Sequence, residues 1–175
     1  LGWAMNPYFS GYAKATAIEK RREKGMKVII VDPKITPAVE RLCDLYLRPY
    51  PGTDGALALC MGNILIENGW IDAAYIEKYV HGFEEYKAYV KQFNESNVEA
   101  LTGVPYEQVL EACRMIWESS SMCINENSAP IPHHKNGFQN YRAIMALLAL
   151  TGNYDREGGQ LLDLHSFTHQ MAGFV

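Results

Sequence analysis

Three short segments carry the residue types that could hold a ligand: Asn6-Pro7, Asp32-Pro33-Lys34 and Pro51-Gly52-Thr53-Asp54. Asp32 closes an apolar run, Lys27 to Val31, and a carboxylate at the end of a strand accepts two hydrogen bonds side by side. A ribose diol or a guanine edge offers such a pair of donors, whereas a phosphate would be repelled. Asn6-Pro7 lies between an apparent strand and a helical stretch, where main-chain N–H groups and the helix dipole favour a phosphate. In the third segment Gly52 permits close approach, Thr53 supplies a hydroxyl and Asp54 a carboxylate at a helix start. Taken singly, each has a plain structural reading: Asn-Pro and Asp-Pro redirect chains, and Asp54 is an ordinary N-cap contributing roughly 1 kcal/mol. Together they suggest a nucleotide-bearing cofactor.

The run His133-His134-Lys135-Asn136-Gly137 puts two imidazoles and an ammonium ahead of a strongly apolar helix. Neighbouring histidines point in different directions, so a metal site using both needs ligands from elsewhere. His134 and Lys135 are read instead as a pocket wall facing an anionic cofactor or substrate, without a catalytic role. His81, His165 and His169 have no partner that the sequence identifies. The cysteines, Cys43, Cys60, Cys113 and Cys123, are at least ten positions apart, too far for a Cys-X-X-Cys metal or cluster motif. No catalytic residue and no metal ligand is assigned.

The elements that must position these groups follow from periodicity and turn signals. The segment from Trp3 ends a strand, and helix 12–24 stops at Gly25. A β-branched strand over 27–31 reads as buried on both faces of a parallel sheet. A short helix from Thr36 to Leu42 has Pro37 at its first position, and 45–47 is another strand. Helices are expected over 55–68, 73–80, 84–92, 95–100 and 105–119, with a weak strand at Met122-Cys123-Ile124 and a last helix over 138–151. The fold class is α/β: a Rossmann-like, doubly wound, mostly parallel sheet with an added helical layer. Residues 1–151 form the α/β domain, and 152–175, opening with the turn-rich Gly152 to Gly159, read as a connector into a neighbouring domain.

A net charge of −4 and a pI near 5.7 argue against a nucleic-acid partner, since phosphate binding needs clustered Lys and Arg. Lys20-Arg21-Arg22 reads as the solvated last turn of a helix. No apolar run approaches the roughly 18 residues that cross a bilayer. The chain starts at an apolar Leu1-Gly2-Trp3-Ala4-Met5 with no initiator Met, and is read as an internal piece of a larger polypeptide.

In order and spacing these segments resemble the molybdopterin oxidoreductases of the dimethyl sulfoxide reductase family. That family's Gly-X-Asn-Pro loop, Asp-Pro-Arg strand end, acid before a further strand and Pro-Gly-Thr-Asp-X-Ala-Leu loop stand here as Ala4 to Pro7, Asp32 to Lys34, Asp44 and Pro51 to Leu57. The likeness continues through Ile66 to Asp72, His81-Gly82-Phe83-Glu84, Leu101 to Pro105, Leu150-Thr151-Gly152-Asn153 and Glu157-Gly158-Gly159. The resemblance implies a molybdopterin guanine dinucleotide cofactor carrying molybdenum or tungsten, with Asn6, Pro7, Asp32, Pro33, Gly52, Thr53 and Asp54 lining its nucleotide. It implies redox, oxygen-atom or hydroxyl transfer chemistry whose metal ligand lies upstream of this chain, so the segment alone is expected to be inactive. An iron–sulfur cluster belongs, if present, to the upstream part of the parent chain. The implied partners are the rest of that polypeptide and an iron–sulfur electron-transfer subunit. Four positions depart from the pattern: Ala4 for Gly, Lys34 for Arg, Tyr50 where an Arg commonly stands, and Glu157 where the family usually has the first residue of Pro-Gly-Gly.

Two other readings compete. A stand-alone nucleotide-binding regulatory module would do no chemistry of its own. A nicotinamide-dependent dehydrogenase would need a Gly-X-Gly-X-X-Gly after the first strand, where this chain has Asn-Pro.

Overall fold

The computed structural model describes residues 1–10, 12–126, 131, 133 and 135–161. Four short strands, β1 (Gly2–Trp3), β2 (Ile29–Val31), β3 (Leu45–Leu47) and β4 (Asn125–Glu126), form one sheet in the order β3-β2-β1-β4, and every pairing is parallel. The chain leaves β1 toward β2 on one side and returns to β4 on the other. The carboxyl ends of β1 and β4 therefore flank a topological switch point, the crevice where open α/β sheets hold ligands.

Both faces of the sheet are buried, and β2 shows how. Ile29 and Val31 face a large core shared with Trp3, Leu47 and most of the helices, while Val28 and Ile30 face a smaller core with Ala38 and Leu42. The smaller core lies beneath α2 (Tyr12–Arg22) and α3 (Pro37–Leu42), reached through α1 (Pro7–Ser10). The run of β-branched residues is thus a strand packed on two sides, as its composition predicts.

The added helical layer is α4 (Asp54–Glu67), α5 (Ala73–Tyr79), α6 (Phe83–Val90), α7 (Val98–Thr102), α8 (Tyr106–Glu118) and α9 (Gly137–Leu150). Helix α4 is apolar nearly all round because α6, α7, α8 and α9 pack about it. Its buried set, Leu57, Ala58, Cys60, Met61, Ile64 and Leu65, includes residues on every side. Two glycines permit close approach: a Cβ on Gly62 would overlap the Tyr86 hydroxyl, and one on Gly55 would overlap the Asn140 amide. Helix α8 has a single buried stripe, Val109, Ala112, Cys113 and Ile116, and Trp117 faces outward.

Several boundaries differ from expectation for local reasons. The stretch expected as helix over 95–100 begins only at Val98, because Asn94 and Asn97 side chains satisfy the preceding amides and hold a turn. Met122 to Ile124 is not a strand. Its amides are taken by side chains from downstream: Met122 N–H donates to Asn153 Oδ1 (2.8 Å) and Ile124 N–H to Gln160 Oε1 (3.1 Å). The strand begins one residue later, at Asn125. Arg22, expected in solvent, is drawn to Asp44, whose Oδ2 also accepts the Val28 N–H at 2.7 Å. Asp44 thereby ties the end of α2 to the start of β2 and β3.

The expected connector begins at Gly152, and residues 152–161 fold back on the body. Asn153 is buried, and Tyr154 and Gln160 form an isolated bridge. No described helix is long and apolar enough to cross a membrane.

Candidate functional site

The parallel sheet sends three loops out from its carboxyl edge, and Asn6, Pro7, Asp32, Pro33, Gly52, Thr53 and Asp54 all lie in them. After β1 the chain makes one more ladder bond, Ala4 N–H to the Val31 carbonyl at 2.8 Å, and then turns sharply. Ala4 makes that turn with φ +51°, a left-handed conformation that a side chain disfavours by about 1 kcal/mol. The departure from Gly at this position is therefore a strained one. Ala4→Gly should raise stability by about 1 kcal/mol, less whatever flexibility glycine adds to the unfolded chain, measured as a higher melting temperature of the parent protein.

Two residues on, the Asn6 side-chain oxygen is buried and accepts no hydrogen bond among the described residues. Buried polar atoms are almost always paired, so an acceptor left open at a switch point is an observation in favour of a ligand that brings an N–H or O–H.

Beside it, Asp32 follows β2 and is 9% exposed. Its Oδ1 accepts the Lys34 N–H at 2.8 Å, an Asx-type turn that the Asp-Pro sequence predisposes, and its main-chain carbonyl accepts the Tyr46 hydroxyl at 2.8 Å. Burial pushes the Asp32 carboxyl above its ordinary value. The Lys34 N–H and charge oppose the shift, and the nearby Asp54 carboxylate adds to it. For an acid raised on folding, the stabilising contribution is full below its unfolded pKa and is lost as pH rises through the folded one. Asp32→Asn keeps the acceptor for Lys34 and removes the charge. The cofactor-free variant should therefore be the more stable protein near neutral pH, with the advantage vanishing by about pH 3, checked by denaturant unfolding at both pH values.

The third loop is set by Gly52 at φ +86° and by Thr53, whose hydroxyl donates to the Tyr50 carbonyl at 2.8 Å. Thr53 occupies the N-cap position of α4 without a side-chain capping bond, and Asp54 is the first helical residue rather than the cap. The Asp54 carboxylate is instead engaged at long range, Oδ1 accepting the Trp3 indole N–H at 2.8 Å. A fully buried tryptophan needs a partner for that N–H. Sequence reading had no means of pairing Trp3 with Asp54, although a Trp in the first strand was a signal that some acceptor must meet it.

Asp32 and Asp54 thus share an arrangement. Each commits Oδ1 to the protein, and no described residue donates to either Oδ2. The Lys34 charge lies near Asp32, and Arg48 donates its Nε–H to the Pro33 carbonyl at 3.1 Å. Lys34 and Arg48 line a cleft of about 720 Å³ together with Tyr46, Tyr50, Pro51 and Gly103. Gly103, at φ +76°, lets the Tyr50 ring approach to 2.7 Å from where a Cβ would stand, and Tyr50 is 57% exposed at the rim. Tyr46 and Tyr50, on the wall of this cleft, were not among the expected site residues.

On the other flank, Lys135 is exposed in the turn before α9. His134 lies outside the described residues, as do His165 and His169. The N-terminus of α9 reaches the third loop through Asn140, whose Nδ2 donates to the Gly52 carbonyl at 3.3 Å. Among the described residues no group of three His, Cys, Asp or Glu side chains could hold a metal ion. The thiols of Cys60 and Cys113 are buried and pushed up by burial, Cys60 to about 12, so neither is a nucleophile at neutral pH.

The chain is similar to known proteins over nearly its whole length. The family described as Molybdopterin oxidoreductase matches residues 1–174. Similar proteins include a probable oxidoreductase, YoaE, of Bacillus subtilis, 34% identical over 157 residues, covering 90% of this chain and 23% of that protein. Formate dehydrogenase H of Escherichia coli is 31% identical over 152 residues, covering 86% and 21%, and dimethyl sulfoxide reductase DmsA of the same organism is 29% identical over 170 residues, again 86% and 21%. Among solved structures, acetylene hydratase from Pelobacter acetylenicus superposes with a TM-score of 0.80 at 26% identity, covering 91% of this chain and 22% of that one. The chain spans about a fifth of the length of these relatives. With the family match running over residues 1–174 and the fold shared with a solved relative, the chain belongs to the molybdopterin oxidoreductase family.

Proposed function

We propose that this chain is the part of a molybdenum or tungsten oxidoreductase that holds the nucleotide of a molybdopterin guanine dinucleotide. The observation that carries the reading is the pair of carboxylates, Asp32 and Asp54, each with one oxygen fixed by the protein and one left for a ligand. A guanine presents N1–H and N2–H side by side, and a ribose presents two hydroxyls; either pair suits a carboxylate whose orientation is already set. The buried, open acceptor of Asn6 and the cations Lys34 and Arg48 fit the same group, the first toward a donor and the others toward a pyrophosphate. Lys34 supplies charge without the bidentate fork of an Arg.

When bound, the pterin-held metal supplies the redox chemistry, exchanging electrons and protons or an oxygen atom with substrate. This chain contributes position: its acids fix one end of a long cofactor so that the other end meets the metal ligand carried elsewhere in the parent polypeptide. In this scheme the parent enzyme passes electrons to an iron–sulfur subunit.

The test is made on the full-length parent enzyme. Guanine nucleotide released by denaturation and bound metal are quantified for wild type and Asp32→Asn. Loss of a charge-assisted pair should lower both roughly tenfold. Unchanged guanine nucleotide in that variant would overturn the assignment.

A further inference from the structure

The loop that carries Gly52, Thr53 and Asp54 is held from two directions. Trp3 fixes the Asp54 carboxylate from the sheet side, and Asn140 of α9 grips the Gly52 carbonyl from the helical side. Asn140 is 2% exposed. Its amide is oriented by two bonds at once: Nδ2 donates to Gly52 O at 3.3 Å, and Oδ1 accepts from Nδ2 of Asn136 at 3.2 Å. Asn136 is the N-cap residue of α9, directly after Lys135. The relay Asn136–Asn140–Gly52 therefore connects the N-terminus of α9 to the loop that follows β3.

A second observation explains why α4 begins with glycine after Asp54. A Cβ on Gly55 would overlap Asn140 Oδ1 and lie 3.1 Å from its Cγ and 3.3 Å from its Cα. The space that a side chain at 55 would occupy is the space in which the Asn140 amide stands. Gly55 is buried and helical, where glycine is the least favoured residue after proline, so its presence costs helix stability. The gain is the approach of Asn140 to the loop.

We infer that Asn140 is a positioning residue for the cofactor loop, that it sets the height of Gly52 and hence the aim of Asp54, and that Gly55 is its obligatory counterpart. The inference rests on the proposal that this loop grips the nucleotide, and it adds a residue that touches no ligand. Without the bond from Asn140 the Gly52 carbonyl is released on one side. The loop keeps its anchors at Trp3, at the Thr53–Tyr50 turn and at the Tyr50 N–H on the Thr102 carbonyl (2.7 Å), but none of these holds the Gly52 carbonyl, so the Asp54 Oδ2 is no longer presented at one fixed height.

The test is a double-mutant cycle in the full-length parent enzyme, with two readouts: retained guanine nucleotide and melting temperature of the cofactor-free protein. Asn140→Ala removes the grip, and Gly55→Ala displaces it. Each should lower retained nucleotide roughly fivefold, the factor of one ordinary hydrogen bond. Combined, the two should cost no more than the worse single change, because the methyl group introduced at position 55 then occupies the space the amide left. The double variant should also melt at or above the Asn140→Ala temperature, since alanine replaces glycine in a helix. Retention lowered without loss of stability is the outcome that a merely structural Asn140 would not give. Additive losses, or wild-type retention in Asn140→Ala, overturn the inference. Asp54→Asn is the control: if it loses nucleotide while the Asn140 variants do not, the loop binds the nucleotide and Asn140 does not position it. If it too retains nucleotide in full, the assignment of the loop itself fails.

Discussion

Asp54→Asn and Asp54→Ala should separate the two tasks of one carboxylate. Asparagine keeps an oxygen where Oδ1 accepts the Trp3 indole, so the fold should survive with a melting temperature close to wild type. The charge and the second acceptor are lost, and retained guanine nucleotide and metal should fall together, roughly tenfold or more in the purified parent enzyme. Alanine removes both functions. A buried indole N–H left without a partner costs about 1–3 kcal/mol, so Asp54→Ala should lose cofactor and also destabilise the protein. Normal cofactor content in the asparagine variant would contradict the role given to Asp54, and equal melting temperatures for the two variants would show that the Trp3 bond contributes nothing.

Gly103→Ala should have the second largest effect, for two independent reasons. The residue caps α7 in the left-handed conformation, φ +76°, with its N–H on the Glu99 carbonyl at 2.7 Å. An alanine there is strained by about 1–2 kcal/mol. Its Cβ would also stand 2.7 Å from the Tyr50 ring, and the ring, part of the wall of the 720 Å³ cleft, must move. The expected result is a destabilisation of about 2 kcal/mol, seen in thermal or denaturant unfolding, accompanied by weaker cofactor retention. A variant that loses stability but retains cofactor fully would show that the position of Tyr50 does not matter to the site.

Much of the architecture was legible because the local signals agree with one another. The β-branched run at 27–31 read as a strand covered on two faces, Pro37 as the opening of a helix, and the apolar spacing of 55–68 as a helix. Short strands were harder. At Met122 to Ile124 the composition favours a strand, but whether those amides join a ladder depends on Asn153 and Gln160, about thirty residues downstream, and local sequence carries no information on such a pairing. The same limit applied at the site. That Asp32, Asn6 and the Gly52 loop share one edge follows from the strands being parallel, which was readable. The engagement of Asp54 by Trp3, the grip of Asn140 on Gly52 and the approach of Tyr50 to Gly103 are tertiary contacts between distant residues. Gly55 was the one visible hint of the second, as a glycine in the first turn of a helix that gains nothing from its flexibility there.

The bond from Trp3 to Asp54 gives the molecule an optical handle. The indole is sealed from solvent, so its emission depends on its protein surroundings, and its N–H points at the residue whose electrostatics change most when a ligand takes the other carboxylate oxygen. Trp70 and Trp117 lie elsewhere, the second on the surface. On the proposed reading, loading of this edge of the sheet should change the emission of the buried Trp3, without any label being added.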